Sequence, residues 1–215
     1  MEKAPSRRLV SGRHSRGYLP HIKVEGRPYF VTFRLDGTLP QEILRQYQDE
    51  REYLLQQADR AGRQLTWEEQ QRLFQLYSER IEAYLDAGHG SCWLRQPTVA
   101  DLAAGALRYF EGKRYTLSAW VIMPNHVHVV VRPEATHTLS SILQSWKSYT
   151  ASEANKLLNR VGQHFWQKES YDHWIRDDAE KARFVAYVEN NPVAAGLCAQ
   201  PEDWLWSSAR ERARS

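Results

Sequence analysis

The spacing of apolar residues divides the chain into strand-like and helix-like stretches. Residues 29–35, YFVTFRL, are dense in aromatic and β-branched side chains and predict a strand, which Asp36-Gly37 breaks. Residues 40–60 and 66–87 are instead rich in Gln, Glu, Arg and Leu, which favour helix. Thr66 with Glu69 is a capping-box signature, and Leu73, Tyr77, Ile81, Tyr84 and Leu85 then recur at helical spacing. Gly62 separates the two helices and Gly88-His89-Gly90 ends the second, so the pair is antiparallel. Residues 97–111 predict another helix, with Val99, Leu102, Ala106, Leu107 and Phe110 on one face. RYTLSAWVIM at 114–123 and HVHVVVR at 126–132 are strands flanking a Pro124-Asn125 turn, the pattern of an antiparallel hairpin. Residues 139–159 form an amphipathic helix with Thr138 as N-cap and Leu139, Ile142, Leu143, Trp146, Tyr149, Leu157 and Leu158 inward. Residues 164–176 are aromatic and irregular, with room for short strands. A last helix starts at Asp177, with Glu180 three residues on. It is expected to end near Asn190, because Pro192 disfavours helix in the residue before it. This order of elements indicates an α+β domain on an antiparallel sheet.

Composition narrows the setting. With 215 residues, 42% of them hydrophobic, the chain can bury one sizeable core. No apolar run approaches the ~18 residues needed to cross a bilayer, and no apolar stretch follows the first positive charges as a secretory signal requires. Cys92 and Cys198 are too far apart for a CxxC site and too few for a disulfide framework. These features lead us to expect a cytoplasmic protein without membrane partners. The net charge of +3 is mild, but its placement is not even. Arg7, Arg8, Arg13 and Arg16 crowd one end and Arg210, Arg212 and Arg214 the other, two basic arms suited to a polyanion.

Two constellations could carry chemistry. His126 and His128 alternate on one strand, so they share a face, with Arg132 further along it, while Val127, Val129 and Val131 face the core. Two imidazoles one residue apart can hold one metal ion, or can be two histidines on the wet face of a sheet; the wet face is the expectation here. On the last helix Phe184, Tyr187, Val188 and Asn191 follow the i, i+3, i+4, i+7 rule, placing Tyr187 and Asn191 one turn apart. A tyrosine becomes a nucleophile when a cation polarises the phosphate it attacks. Tyr149 reads as a core residue and Tyr171 as an exposed competitor.

Taken together, AWVIMPNHVHVVVRP, LSSILQSWKSYTASEANKLL, FWQKESYDHWIRD, YVENNPVAAGL and WLWSSAR resemble the REP-associated tyrosine transposases, of the His-hydrophobic-His single-strand transposase superfamily. The resemblance spans essentially the whole chain as one catalytic domain, 1–215, with the helical pair at about 40–88 as an insertion. It implies a ferredoxin- or RRM-like palm with flanking helices. It also implies His126, His128 and Asn191 as ligands of Mg²⁺ or Mn²⁺, and Tyr187 as a nucleophile that forms a 5′-phosphotyrosine and frees a 3′-OH. The implied substrate is single-stranded, hairpin-forming DNA, and the protein a monomer or homodimer. Candidate DNA contacts are Arg13 and Arg16, Arg132, Lys147 beside Trp146, and Lys168, His173 and Arg176 around Trp166 and Trp174. Two other readings stand beside this one: a non-catalytic RRM-like nucleic-acid-binding protein, and a phosphodiesterase that uses the histidines and water.

Overall fold

The computed structural model describes residues 26–63, 65–77 and 81–214. The N-terminal arm with Arg13 and Arg16 lies outside the described residues. Strands β1 (Tyr29–Arg34), β2 (Tyr115–Ile122), β3 (His126–Pro133) and β4 (Tyr171–Trp174) form one antiparallel sheet in the order β2-β3-β1-β4. Between β1 and β2 lie α1 (Gln41–Arg60), α2 (Trp67–Tyr77), α3 (Ala83–Asp86) and α4 (Pro97–Arg108). Helix α5 (Leu139–Leu157) joins β3 to β4, and α6 (Asp178–Ala194) and α7 (Ser208–Arg212) follow. With α4 and α5 as the crossover helices, this strand order is the β-α-β-β-α-β arrangement of ferredoxin-like domains. The expected α+β antiparallel palm with an inserted helical pair is therefore what the chain forms.

Strand alternation gives the sheet two chemically different faces. On one, Val31 and Phe33 of β1 and Val127, Val129 and Val131 of β3 pack under α4 and α5, which supply Ala103, Ala104, Leu107, Ile142, Leu143 and Trp146. Tyr115 Oη there donates to the Leu107 carbonyl at 2.7 Å and accepts from Trp146 Nε1 at 2.9 Å, whereas Asn155 Oδ1 and Trp174 Nε1 have no hydrogen-bond partner among the described residues. On the other face Phe30, Val121, Met123 and Val130 pack under α1–α3 and α6, through Leu54, Leu73, Tyr77, Ile81, Leu85, Phe184 and Val188. The inserted helices thus cover the face that bears the histidines. Their entry angle is set by the Thr66–Glu69 box, in which both reciprocal bonds form, and by Arg63, which pairs with Glu69 at 2.8 Å.

Four sequence expectations need correction. The last helix does not stop near Asn190 but runs through Pro192 to Ala194. Proline removes one N–H in the final turn, and its burial against the fold holds that turn in place. Tyr149 is exposed and Tyr171 buried, the reverse of their reading. Tyr149 and Leu157 fall on the outer side of α5, whereas Tyr171 stacks on Tyr77 of the inserted helices at 4.1 Å. Nor is the C-terminal basic segment a free arm. Ile122 N–H donates to the Trp206 carbonyl at 2.9 Å, Trp120 N–H to Ser208 Oγ at 3.0 Å, and Arg212 pairs with Glu189. Finally, the histidine face is dry: His126 and His128 are fully buried.

Candidate active site

β1 and β3 set the histidines opposite their partners: Thr32 lies across from His128 and Arg34 from His126. Asn125, in the turn before β3, donates its amide N–H groups to the carbonyls of Leu85 (2.9 Å) and His89 (3.1 Å). Its oxygen must therefore accept, and His126 Nδ1 donates to it at 2.7 Å. That contact puts the His126 proton on Nδ1 and leaves the lone pair on Nε2. This Nε2 faces His128 Nε2 at 3.0 Å, while His128 Nδ1 bonds Thr32 Oγ1 at 2.8 Å. Burial pushes the His126 imidazole down to about 3, against a smaller opposing effect of the Asn191 side chain, and pushes His128 down with help from His126. Both rings are neutral at ordinary pH, so the space between the facing nitrogens needs either one shared proton or a cation.

Helix α6 brings the other two residues to this point. The Tyr187 ring centroid lies 5.7 Å from that of His128 and packs edge-on to Phe30. One turn later Asn191 is buried; its side chain is near enough to act on the His126 ring, but its Oδ1 makes no hydrogen bond of good geometry among the described residues. The chemistry of these atoms fits a divalent ion. Two ligands at right angles, each about 2.1 Å from an ion, stand about 3 Å apart, the separation of the two nitrogens. Among the described residues no three His, Cys, Asp or Glu side chains are arranged to hold a metal, so any ion here would draw on the two imidazole nitrogens and an amide oxygen.

Two residues of the inserted segment also reach the site, and sequence reasoning missed both. Glu82, in a π-helical turn before α3, accepts from Tyr187 Oη through one carboxylate oxygen. Its other oxygen lies 3.5 Å from Thr32 Oγ1 and 3.8 Å from His128 Nδ1. Burial pushes the Glu82 carboxyl well above its ordinary value, and neighbouring Asp86 adds to this. Asp86 Oδ1 is 3.6 Å from His126 Nε2 and unpartnered, and burial raises this carboxyl to about 6. The available signal was an i, i+4 acidic pair immediately beside the apolar stripe of Ile81 and Leu85. A cleft of about 830 Å³ opens between this segment and α6, with Glu82, Asp86, Tyr187 and Asn191 in its lining and Arg183 beside them.

The other expected DNA contacts do not converge here. His173 is buried and bonded to Glu180 at 3.1 Å, out of reach of a polymer. The Lys147 amine donates to the carbonyls of Gln167 (2.6 Å) and Lys168 (2.8 Å), and burial, with nearby Arg34, lowers it to about 8. Trp146 and Trp166 are core residues. Lys168 is exposed, Arg132 is exposed at the far end of β3 from His126, and Arg176 lies over the Trp67 ring at 4.6 Å.

Comparison with known proteins places this geometry in context. Residues 94–191 match the family "Transposase IS200 like". A Haemophilus influenzae protein assigned as a REP-associated tyrosine transposase is 26% identical over 96 residues, 40% of this chain and 54% of that protein. An uncharacterized protein of the same organism is 27% identical over 99 residues, covering 36% of this chain and 54% of the relative. The chain therefore spans about half the length of the curated relatives it matches. A solved structure of a REP-associated tyrosine transposase bound to a REP hairpin aligns over 94% of this chain and 86% of its own, at 20% identity and a TM-score of 0.47. The family match and the curated relative bear out the resemblance over the stretches they cover, and the family's stretch holds the PNHVH, Trp-Lys-Ser and Tyr187–Asn191 motifs. The matched segment ends at Asn191, so it contains both histidines, Tyr187 and Asn191, and leaves out Glu82 and Asp86.

Proposed function

We propose, taking the IS200-like transposase match as premise, that this chain is a metal-dependent endonuclease and strand transferase. It would act on single-stranded, hairpin-forming DNA of the REP kind. The observation that carries the reading is the meeting of two neutral imidazole nitrogens 3.0 Å apart, an unpartnered buried amide oxygen and a tyrosine hydroxyl at one point. His126, His128 and Asn191 would hold the ion, Mg²⁺ or Mn²⁺. Bound there, it would polarise the scissile phosphate and offset the charge that builds on it. Asn125 and Thr32 orient the imidazoles, and α6 presents the Tyr187 hydroxyl beside them. Tyr187 attacks phosphorus, an Oη–P bond forms, the P–O3′ bond breaks, and the DNA 5′ end stays on the enzyme as a phosphotyrosine. Attack by a 3′-OH reverses the step and joins strands without a nucleotide cofactor.

The cleft also carries Arg183, a cation placed to meet a phosphodiester beside Tyr187. The alternative of an RRM-like binder is disfavoured by the packing. Such modules stack bases on an open sheet face, and here helices cover both faces. The test is incubation of the protein with hairpin oligonucleotides and Mn²⁺, a denaturing gel for covalent adducts, and mass spectrometry of the linked peptide. A DNA-linked peptide containing Tyr187 is the expected result. Cleavage without any adduct would instead indicate attack by water.

A further inference from the structure

We propose that Glu82, supplied by the inserted helical segment, is a positioning residue that aims the Tyr187 hydroxyl at the histidine pair. The inference rests on the reading of Tyr187 as nucleophile. Glu82 is 2% exposed, so it is not a surface acid that meets a tyrosine by chance. One carboxylate oxygen accepts from Tyr187 Oη, and the other lies 3.5 Å from Thr32 Oγ1, which itself bonds His128 Nδ1 at 2.8 Å. A single side chain therefore spans from the nucleophile to the partner of a histidine. Edge contacts to Phe30, Phe74 and His128 hold the phenol ring, and the bond to Glu82 adds a directional contact at the hydroxyl itself, fixing its proton and lone pairs and anchoring the far end of the ring. The backbone of this segment is anchored to the same place by Asn125, which donates to the carbonyls of Leu85 and His89 while accepting from His126. A π-helical turn at Ile81 and Glu82 is a local geometry frequent at functional sites. The insertion is thus one wall of the active site.

Placement of a reacting atom by an ångström can change a rate on the order of 100-fold. Glu82→Ala should form the Tyr187–DNA adduct about 100-fold more slowly than the unmodified protein, with hairpin affinity and Mn²⁺ affinity unchanged. Glu82→Gln keeps an acceptor oxygen of the same reach and should restore the rate to within several-fold. An adduct rate for Glu82→Ala equal to or above that of the unmodified protein would overturn the inference, as would a Glu82→Gln variant no faster than Glu82→Ala. Should Glu82→Ala not fold, infrared difference spectra of the unmodified protein against Tyr187→Phe decide. Loss of the hydroxyl must move a carboxyl band if Glu82 accepts from it, and an unmoved spectrum overturns the inference. Absence of any Tyr187 adduct in the unmodified protein would instead refute the nucleophile itself.

Discussion

The two faces of the sheet differ in what they bury. Under α4 and α5 the buried surface is almost wholly apolar, and Tyr115 and Trp146 satisfy each other with a short neutral bond. Under the insertion and α6 the sheet buries Thr32, His126 and His128, and the covering helices add Glu82 and Asn191. The first face is organised by area removed from water, at roughly 25 cal/mol per Å². The second gives up some of that area to hold donors and acceptors in fixed directions, and beside the histidines two oxygens, of Asn191 and Asp86, have no hydrogen-bond partner among the described residues. Each orphaned polar atom costs about 1–3 kcal/mol of stability.

The largest effect that tests this contrast is loss of one atom on the polar face. Tyr187→Phe keeps the ring contacts to Phe30 and His128 and should fold normally, yet give no covalent adduct on a denaturing gel. Next comes metal binding. Mn²⁺ at about 100 times its dissociation constant should stabilise the protein by about 2.7 kcal/mol in thermal melts. His128→Ala should abolish that gain and cleavage with it. Because His128 is buried rather than wet, it should also lower stability by about 2–4 kcal/mol through the cavity and the unpaired Thr32. Asn191→Ala should weaken the Mn²⁺ gain without removing the nucleophile.

The apolar face supplies the counterpart. Leu107→Ala, on the inward face of α4, should cost about 2–5 kcal/mol while leaving the Mn²⁺ gain intact, and a loss of metal binding there would erase the distinction between the faces. The smallest effect concerns the rim of the insertion. Arg63, and then Thr66 N–H, hold the Glu69 carboxyl at about 2 against an ordinary 4.5. Its contribution is present above about 4.5 and fades as pH falls toward 2, so hydrogen exchange within α2 should quicken over that window. Thr66→Ala should cost about 1 kcal/mol at neutral pH. Exchange in α4 and α5 should not respond to either change.

Much of this was legible locally. The strand at 29–35, the hairpin around Pro124-Asn125, and the caps at Thr66, Thr138 and Asp177 each depend on residues within a few positions of one another. So does the one-turn relation of Tyr187 and Asn191. What failed was information about distant partners. Tyr149 has the spacing of an inward residue but falls on the outer side of α5, and Tyr171 is buried by rings from distant positions, Phe30, Phe74 and Tyr77, the last 94 positions earlier in the chain. His173 and Lys147 looked available to a polyanion until Glu180 and two carbonyls took them.

By itself the sequence determined which residues share a strand face or a helix face, because periods of 2.0 and 3.6 follow from backbone geometry alone. It determined in that way that His126 goes with His128 and Tyr187 with Asn191. Only the tertiary structure decided that these pairs meet, that helices seal the histidine face, and that Glu82 and Asp86 stand beside them. Those outcomes come from burying the apolar stripes of the insertion and α6 against the sheet. That packing energy depends on surfaces brought together from across the whole chain, and no local pattern encodes it.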